Sequence, residues 1–371
     1  METYRLNSKL VDDSKEYLIQ TTNDVSLGSI SSEVYVDGLL ADVVNLPHPE
    51  QIKPEEVLAL VQTTHDEKKR EIETLLKAYH EALESANAEM MYHMGLAFFY
   101  RRFYGEAQSL FTTAIGLNES YHEAYNLLGQ TELALGNVEA SSKAVRSAVE
   151  LRPQYADYRN NFGEALMASM ALKEAQQQFE KAIEINLYYS DAYFNLGLAL
   201  IRQSMEIGMR QMAPNLTAKA NDYFNKASLI YPDYKTAVFE RGLTALKAGD
   251  TRQAFALLRK VREEKKEAHA RRYAPYYMRY ALYPQWINEK AIEDRISFLQ
   301  REIGKNPTYV DLYVELSRCY LEHARMTWKK GVEQYKKTLD INPGLTKLAA
   351  HLQEAEDTYD RINEAVKKIA E

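Results

Sequence analysis

Residues 122–155, HEAYNLLGQTELALGNVEASSKAVRSAVELRPQY, and 156–189, ADYRNNFGEALMASMALKEAQQQFEKAIEINLYY, are two copies of one 34-residue pattern. Gly129 and Gly163 hold the same place in each copy, and Gly95 and Gly197 extend the 34-residue beat on either side. Ala107, Ser141 and Ala175 keep it too, as do Phe111, Val145 and Phe179, then Ala114, Ala148 and Ala182. The tyrosines Tyr121, Tyr155 and Tyr189 close each copy. Composition does not generate a period kept at five unrelated positions. It marks one helical hairpin copied and stacked, which sets the fold as an array and leaves little room for enzyme chemistry in the middle of the chain.

These residues resemble the tetratricopeptide repeat. That family is a helix–turn–helix with a small residue at position 8, alanine at 20, a large apolar residue at 24, alanine at 27 and proline near 32. The resemblance starts repeats at Ala88, His122 and Ala156, with Pro153 ending a second helix because proline breaks the hydrogen-bond ladder. A fourth repeat opens at Ser190, but its Ala220, Phe224, Ala227 and Pro232 are displaced by 11 residues. An insertion between Arg202 and Lys219 therefore enlarges the fourth repeat, 190–234. A fifth repeat carries Gly242, Gly249, Ala254 and Leu258, a degenerate pair follows at about 273–306, and a seventh unit has Tyr313, Leu316, Tyr320 and Tyr335. In the family pattern, position 24 seals the contact to the next hairpin. The expected fold is a mainly α superhelical solenoid of about seven hairpins over 88–343, with 344–371 as a charged capping helix.

The first 50 residues read differently. Tyr4, Leu6, Ser8 and Leu10 alternate with polar residues, and Asp12 to Lys15 make a turn before Tyr17 to Thr22. Asp37-Gly38 between Ser29–Val36 and Leu39–Val44 is a strong hairpin signal, since both residues tolerate positive φ. Residues 1–50 are expected to form a small antiparallel β meander of about four strands, too small to bury a core alone. Residues 51–87 read as a long helical connector or cap, whose polar centre Thr63 to Arg70 suggests a break into two helices. A dimerising role for it is the alternative to capping.

The chain has 371 residues, 27 of them tyrosine, with 15 glycines and 10 prolines; scarce glycine and proline suit long helices. The net charge of −7 is concentrated in residues 1–50, with nine acids against three bases. The array is nearly neutral, without the broad basic surface that nucleic-acid binding needs. A basic and aromatic stretch at 259–279 could stack single-stranded RNA. Interspersed Glu263, Glu264 and Glu267 make it read instead as a solvated helix face. The N-terminal residues carry acids and no apolar run, and no stretch is apolar enough to span a membrane, so a cytoplasmic location is expected. The one cysteine, Cys319, allows no internal disulfide, lies on an apolar helical stripe and reads as core.

In the family the first helix of each repeat lines a concave groove, with positions 2, 5, 6, 9, 12 and 13 facing it. Carried onto this chain, position 2 is Glu89, Glu123, Asp157 and Asp191. Acids there either stabilise a helix N-terminus or form a ladder preferring a basic segment. Asn126 and Asn160 stand at position 5 and Asn161 and Asn195 at position 6; an inward amide either clamps a peptide or bonds its own turn. Gln130 and Glu164 fall at position 9, and Phe194 and Leu198 add apolar groove positions. Met205, Met209 and Met212 in the insertion either pack or offer a docking point. Chaperone-binding members use lysines and an arginine to hold a C-terminal carboxylate, and this chain has no matching lysines.

The histidines, among them His80, His93, His122, His269 and His323, show no paired metal-ligand spacing, and neither a phosphate loop nor a nucleophile elbow is present. The expected function is non-catalytic, needing no cofactor or metal: a scaffold, adaptor or assembly chaperone binding a basic or polar protein segment in the groove. A self-associating structural or regulatory protein, dimerising through the N-terminal β domain, is the alternative.

Overall fold

The computed structural model describes residues 3–13, 15–24, 28–47, 53–207, 213–282, 289–305 and 310–370. Among these, a four-stranded antiparallel sheet precedes fourteen α-helices. The strands β1 (Arg5–Asp12), β2 (Lys15–Asp24), β3 (Ser29–Val36) and β4 (Leu39–Pro47) form a meander in that order. Asp37 and Gly38 make the β3–β4 turn with φ of 50° and 81°, as the Asp-Gly signal requires.

Strand alternation places Tyr17, Ile19, Thr21 and Asn23 of β2 and Ile30, Ser32 and Val34 of β3 on the buried face. Helix α1 (Pro54–Glu84) covers that face. Its polar centre does not break it. Thr64, His65 and Lys68 are buried because the sheet opposite them is polar too. His65 Nε2 pairs with Ser8 Oγ at 2.8 Å and its Nδ1 with Thr21 Oγ1 at 3.0 Å, while Lys68 donates to Asp42 at 3.1 Å. On one side of this polar belt Ile30 meets Val57 and Val61. On the other, Ile72, Leu75 and Leu76 share a core with Tyr17, Val34 and the first hairpin. Tyr17 and Lys15 both donate to Glu106 Oε1, at 2.5 and 2.6 Å, and Arg101 reaches Asp42 at 2.7 Å. The sheet is thus fastened to the array through α1 and buried charge pairs.

Five hairpins follow: α2 (Ala88–Tyr100) with α3 (Tyr104–Leu117), α4 (His122–Ala134) with α5 (Val138–Leu151), and α6 (Ala156–Ala168) with α7 (Leu172–Ile185). The next two are α8 (Ser190–Ile207) with α9 (Ala213–Ile230), and α10 (Ala237–Lys247) with α11 (Thr251–Leu282). In each, the periodic glycine lies against the large residue of its own partner helix. A Cβ at Gly163 would sit 2.5 Å from Phe179 Cε1, and Gly95 meets Phe111 in the same way. The large residue therefore closes its own hairpin, where the family pattern assigns it to the next one. Phe224 reaches Gly197 despite the 11-residue displacement, because α8 and α9 are 18 residues each and lengthen together.

The last part departs from 34-residue spacing. Residues 273–282, read as the start of a degenerate pair, continue α11 instead. After α12 (Glu289–Lys305), the 32-residue α13 (Val310–Ile341) runs unbroken through the stretch read as a seventh hairpin, and α14 (Thr346–Ala370) packs on it. Ile292, Ile296 and Leu299 bury Leu312 and Cys319 between α12 and α13. Burial pushes the Cys319 thiol up to about 11. No helix among the described residues is long and apolar enough to cross a membrane.

Candidate functional site

The first helices α2, α4, α6 and α8 lie next to one another, and α11 crosses them from α8 to α2. Its first half is an ordinary second helix, with Ala254, Leu258 and Val261 buried against α10. Beyond Val261 it leaves its own hairpin and runs over the groove side of the earlier repeats.

Glu164 on α6 is the centre of the contact. It is 5% exposed, and Lys266 Nζ and Arg262 Nη2 both lie 2.6 Å from its Oε2. Its Oε1 accepts from Asn195 at 2.9 Å and from Asn160 at 3.4 Å. Burial by itself would raise the Glu164 pKa, but the two cations outweigh it and hold the carboxyl at about 2. Asp191 at the start of α8 forms the second centre. It pairs with Lys265 and accepts from Tyr234 at 2.6 Å. Burial opposes ionisation there too, and Lys265 reverses the balance and lowers its pKa. The Lys265 ammonium also sits 4.3 Å from the Tyr231 ring and 4.5 Å from the Tyr234 ring, an aromatic enclosure for a cation. Farther along, Glu267 meets Arg102 at 3.2 Å and the His269 ring lies 5.9 Å from Tyr100.

The asparagines form a ladder behind these carboxylates. Asn161 donates to Asn126 at 2.9 Å, and Asn195 to Asn160 at 2.9 Å. In each rung the amide of the later repeat donates to the amide oxygen of the repeat before it, which ties neighbouring first helices together. Asn126, Asn160 and Asn195 are buried, whereas Asn161 and Gln130 are half-buried. Among the acids of position 2, Glu89 is exposed beside His93, and Asp157 is half-buried. Glu123 lies 3.1 Å from His122, and burial raises its pKa. Phe194 and Leu198 lie in the core; Phe194 stacks on Tyr234 at 4.5 Å. Met205 packs beside the same cluster, and Met209 and Met212 lie outside the described residues.

The structure thus brings Glu164, Asp191, Asn160 and Asn195 together, and it adds the element that reading by repeats missed: the 259–270 part of α11, taken there for a solvated face. A signal was present. Arg262, Lys265 and Lys266 fall at i, i+3 and i+4, one face of a helix, in a chain whose groove positions are acidic. Two acid–histidine groups are further products of folding: Asp12, Asp13 and His80, and Glu289, Glu293 and His323. Asp12 is engaged with His80 at 2.8 Å and Glu289 with Lys330, so both groups read as surface ion pairs.

The tetratricopeptide repeat family model matches residues 92–156. No curated protein sequence matches the chain. Among solved structures, a Pseudomonas aeruginosa protein described as pilF is 18% identical, covering 56% of this chain and 94% of its own, with a TM-score of 0.38. YrrB, described as a tetratricopeptide-repeat protein with an unusual peptide-binding site, is 17% identical over 53% of this chain and 97% of its own, with a TM-score of 0.36. The first such domain of Spaghetti (RPAP3), bound to an HSP90 peptide, is 20% identical over 33% of this chain and 95% of its own, with a TM-score of 0.31. The family match lies on α2 to α5, so this part of the chain carries tetratricopeptide repeats, and helical hairpins continue after it.

Proposed function

We propose that this chain is a non-catalytic protein–protein interaction scaffold, an adaptor or assembly chaperone of the cytoplasm, whose face across α2, α4, α6 and α8 takes a basic or polar segment of a partner. One observation carries the reading: that face already holds a basic helix through Glu164 and Asp191. Electrostatic complementarity of this kind selects partners and register.

Asn126, Asn160, Asn161 and Asn195 are built into the ladder, so their removal would disturb the fold as well as the surface. The half-buried Gln130, on the same face, makes the cleaner test. Affinity capture from native cells with Gln130→Ala is expected to lose partners that the parent chain retains, at an unchanged melting temperature. An identical captured set would end the groove reading.

The sheet edge favours a second reading, self-association. Leu39, Leu40 and Leu46 on edge strand β4 are 76%, 52% and 39% exposed, and unpaired edges invite strand addition. Sedimentation of the full chain should then show a dimer that Leu40→Lys abolishes; a monomer at every concentration excludes it.

A further inference from the structure

We infer that residues 262–270 of α11 are a resident stand-in for the partner, and that the partner presents a helix with cations in the order Arg-x-x-Lys-Lys to the same two carboxylates, Glu164 and Asp191. This rests on the groove being a protein-binding face.

The two halves of α11 are held by different forces. Ala254, Leu258 and Val261 anchor the first half in apolar packing. From Arg262 to Ala270 no residue is fully buried, and charge pairs dominate the contacts that hold the helix: Arg262 and Lys266 on Glu164, Lys265 on Asp191, Glu267 on Arg102, with the His269 ring beside Tyr100. Contacts of this type are screened by salt and contribute little where exposed. Lys266 is half exposed, and so are both partners of the Arg102–Glu267 pair. A segment with no apolar anchor of its own is one that a better-fitting segment can displace.

The sockets, by contrast, belong to the repeats. Asn160 and Asn195 orient Glu164, and Tyr234 orients Asp191. Tyr231 and Tyr234 enclose the lysine. These groups fix three cation positions at i, i+3 and i+4 of a helix, two on Glu164 and one on Asp191. The resident fit is also incomplete. Asn195 Oδ1 and Arg262 Nε are buried at this site without a hydrogen-bond partner. An incoming segment therefore has a polar group to satisfy, Asn195 Oδ1, that α11 leaves unmet.

The probe is a labelled synthetic peptide of residues 255–271, added to the full-length chain. In the release variant Arg262→Ala/Lys265→Ala/Lys266→Ala the sockets are vacated, and peptide affinity is expected to rise about tenfold or more over the parent, because a groove occupied most of the time lowers apparent affinity in proportion. Adding Glu164→Gln and Asp191→Asn to the release variant should remove that gain. Should the release variant fail to fold by circular dichroism, Arg102→Gln breaks only an exposed pair and is expected to raise affinity about twofold. Unchanged affinity in both variants overturns the stand-in and leaves α11 as fixed architecture. Equal binding of a peptide with the cations moved off i, i+3 and i+4 overturns the socket assignment. In either case partners captured through Gln130 would still support the interaction reading, whereas loss of both results removes that reading as well.

Discussion

Replacing Glu164 with glutamine removes one charge from the middle of the molecule while keeping its size and most of its hydrogen bonds. A carboxyl held at about 2 rather than its ordinary 4.5 stabilises the folded state by about 3 kcal/mol at neutral pH. Lys266 is half exposed and screened, so about 2 kcal/mol is the expected loss for Glu164→Gln. The sign follows from the depressed pKa. The stabilisation is complete above about pH 4.5 and disappears as pH falls toward 2, where the parent carboxyl becomes protonated and resembles the amide. Urea unfolding is the suitable assay, because guanidinium would itself screen the pairs. Stacked repeats unfold with nearest-neighbour coupling, so the change should appear in the transition that includes α6 and α8. The difference between parent and variant should be about 2 kcal/mol at pH 7 and about a quarter of that at pH 2.5, and it should shrink in 0.5 M salt. A difference of equal size at pH 7 and pH 2.5 would show that the loss comes from packing, and would refute the view that charge seats α11.

Three other outcomes follow from the same geometry. Gly163→Ala places a Cβ 2.5 Å from Phe179, so it should destabilise by about 1–3 kcal/mol, and Phe179→Leu in the same chain should recover part of that in thermal melts. Hydrogen bonding to Asp12 raises the His80 pKa; NMR titration should find it above 6.5 in the parent and lower in Asp12→Asn. The Asp12–His80 contribution to stability is thus present below pH 6.5 and is lost as pH rises through the folded-state value. Arg101→Gln leaves Asp42 and Glu71 facing Lys68 alone in a mostly buried cluster, and should cost about 3–5 kcal/mol in urea unfolding.

Much of the architecture was legible in residue spacing because its causes are local. A glycine and a large side chain 16 residues apart, Gly95 with Phe111, Gly129 with Val145 and Gly163 with Phe179, must meet once two short helices fold back on each other. Asp37-Gly38 likewise dictates its own turn. Spacing misled where length alone had to decide a boundary. Nothing within 310–341 forces a turn, so α13 stays continuous. The polar centre of α1 looked like a break until the polar face of the sheet stood opposite it, with Ser8 and Thr21 taking both nitrogens of His65.

The groove divides in the same way. Repeat register placed Glu164, Asp191 and the asparagines on one face, since equivalent positions of stacked hairpins must align. What covers that face was decided only by the tertiary fold. Lys265 meets Asp191 across 74 residues and Lys266 meets Glu164 across 102. A charge pair leaves no period in a sequence and can be met by any cation that the fold delivers. The chain's own acids and bases were visible from the start; that α11 outruns its hairpin and carries three of the bases across the groove follows from helix length and from where the five hairpins place α2 and α8.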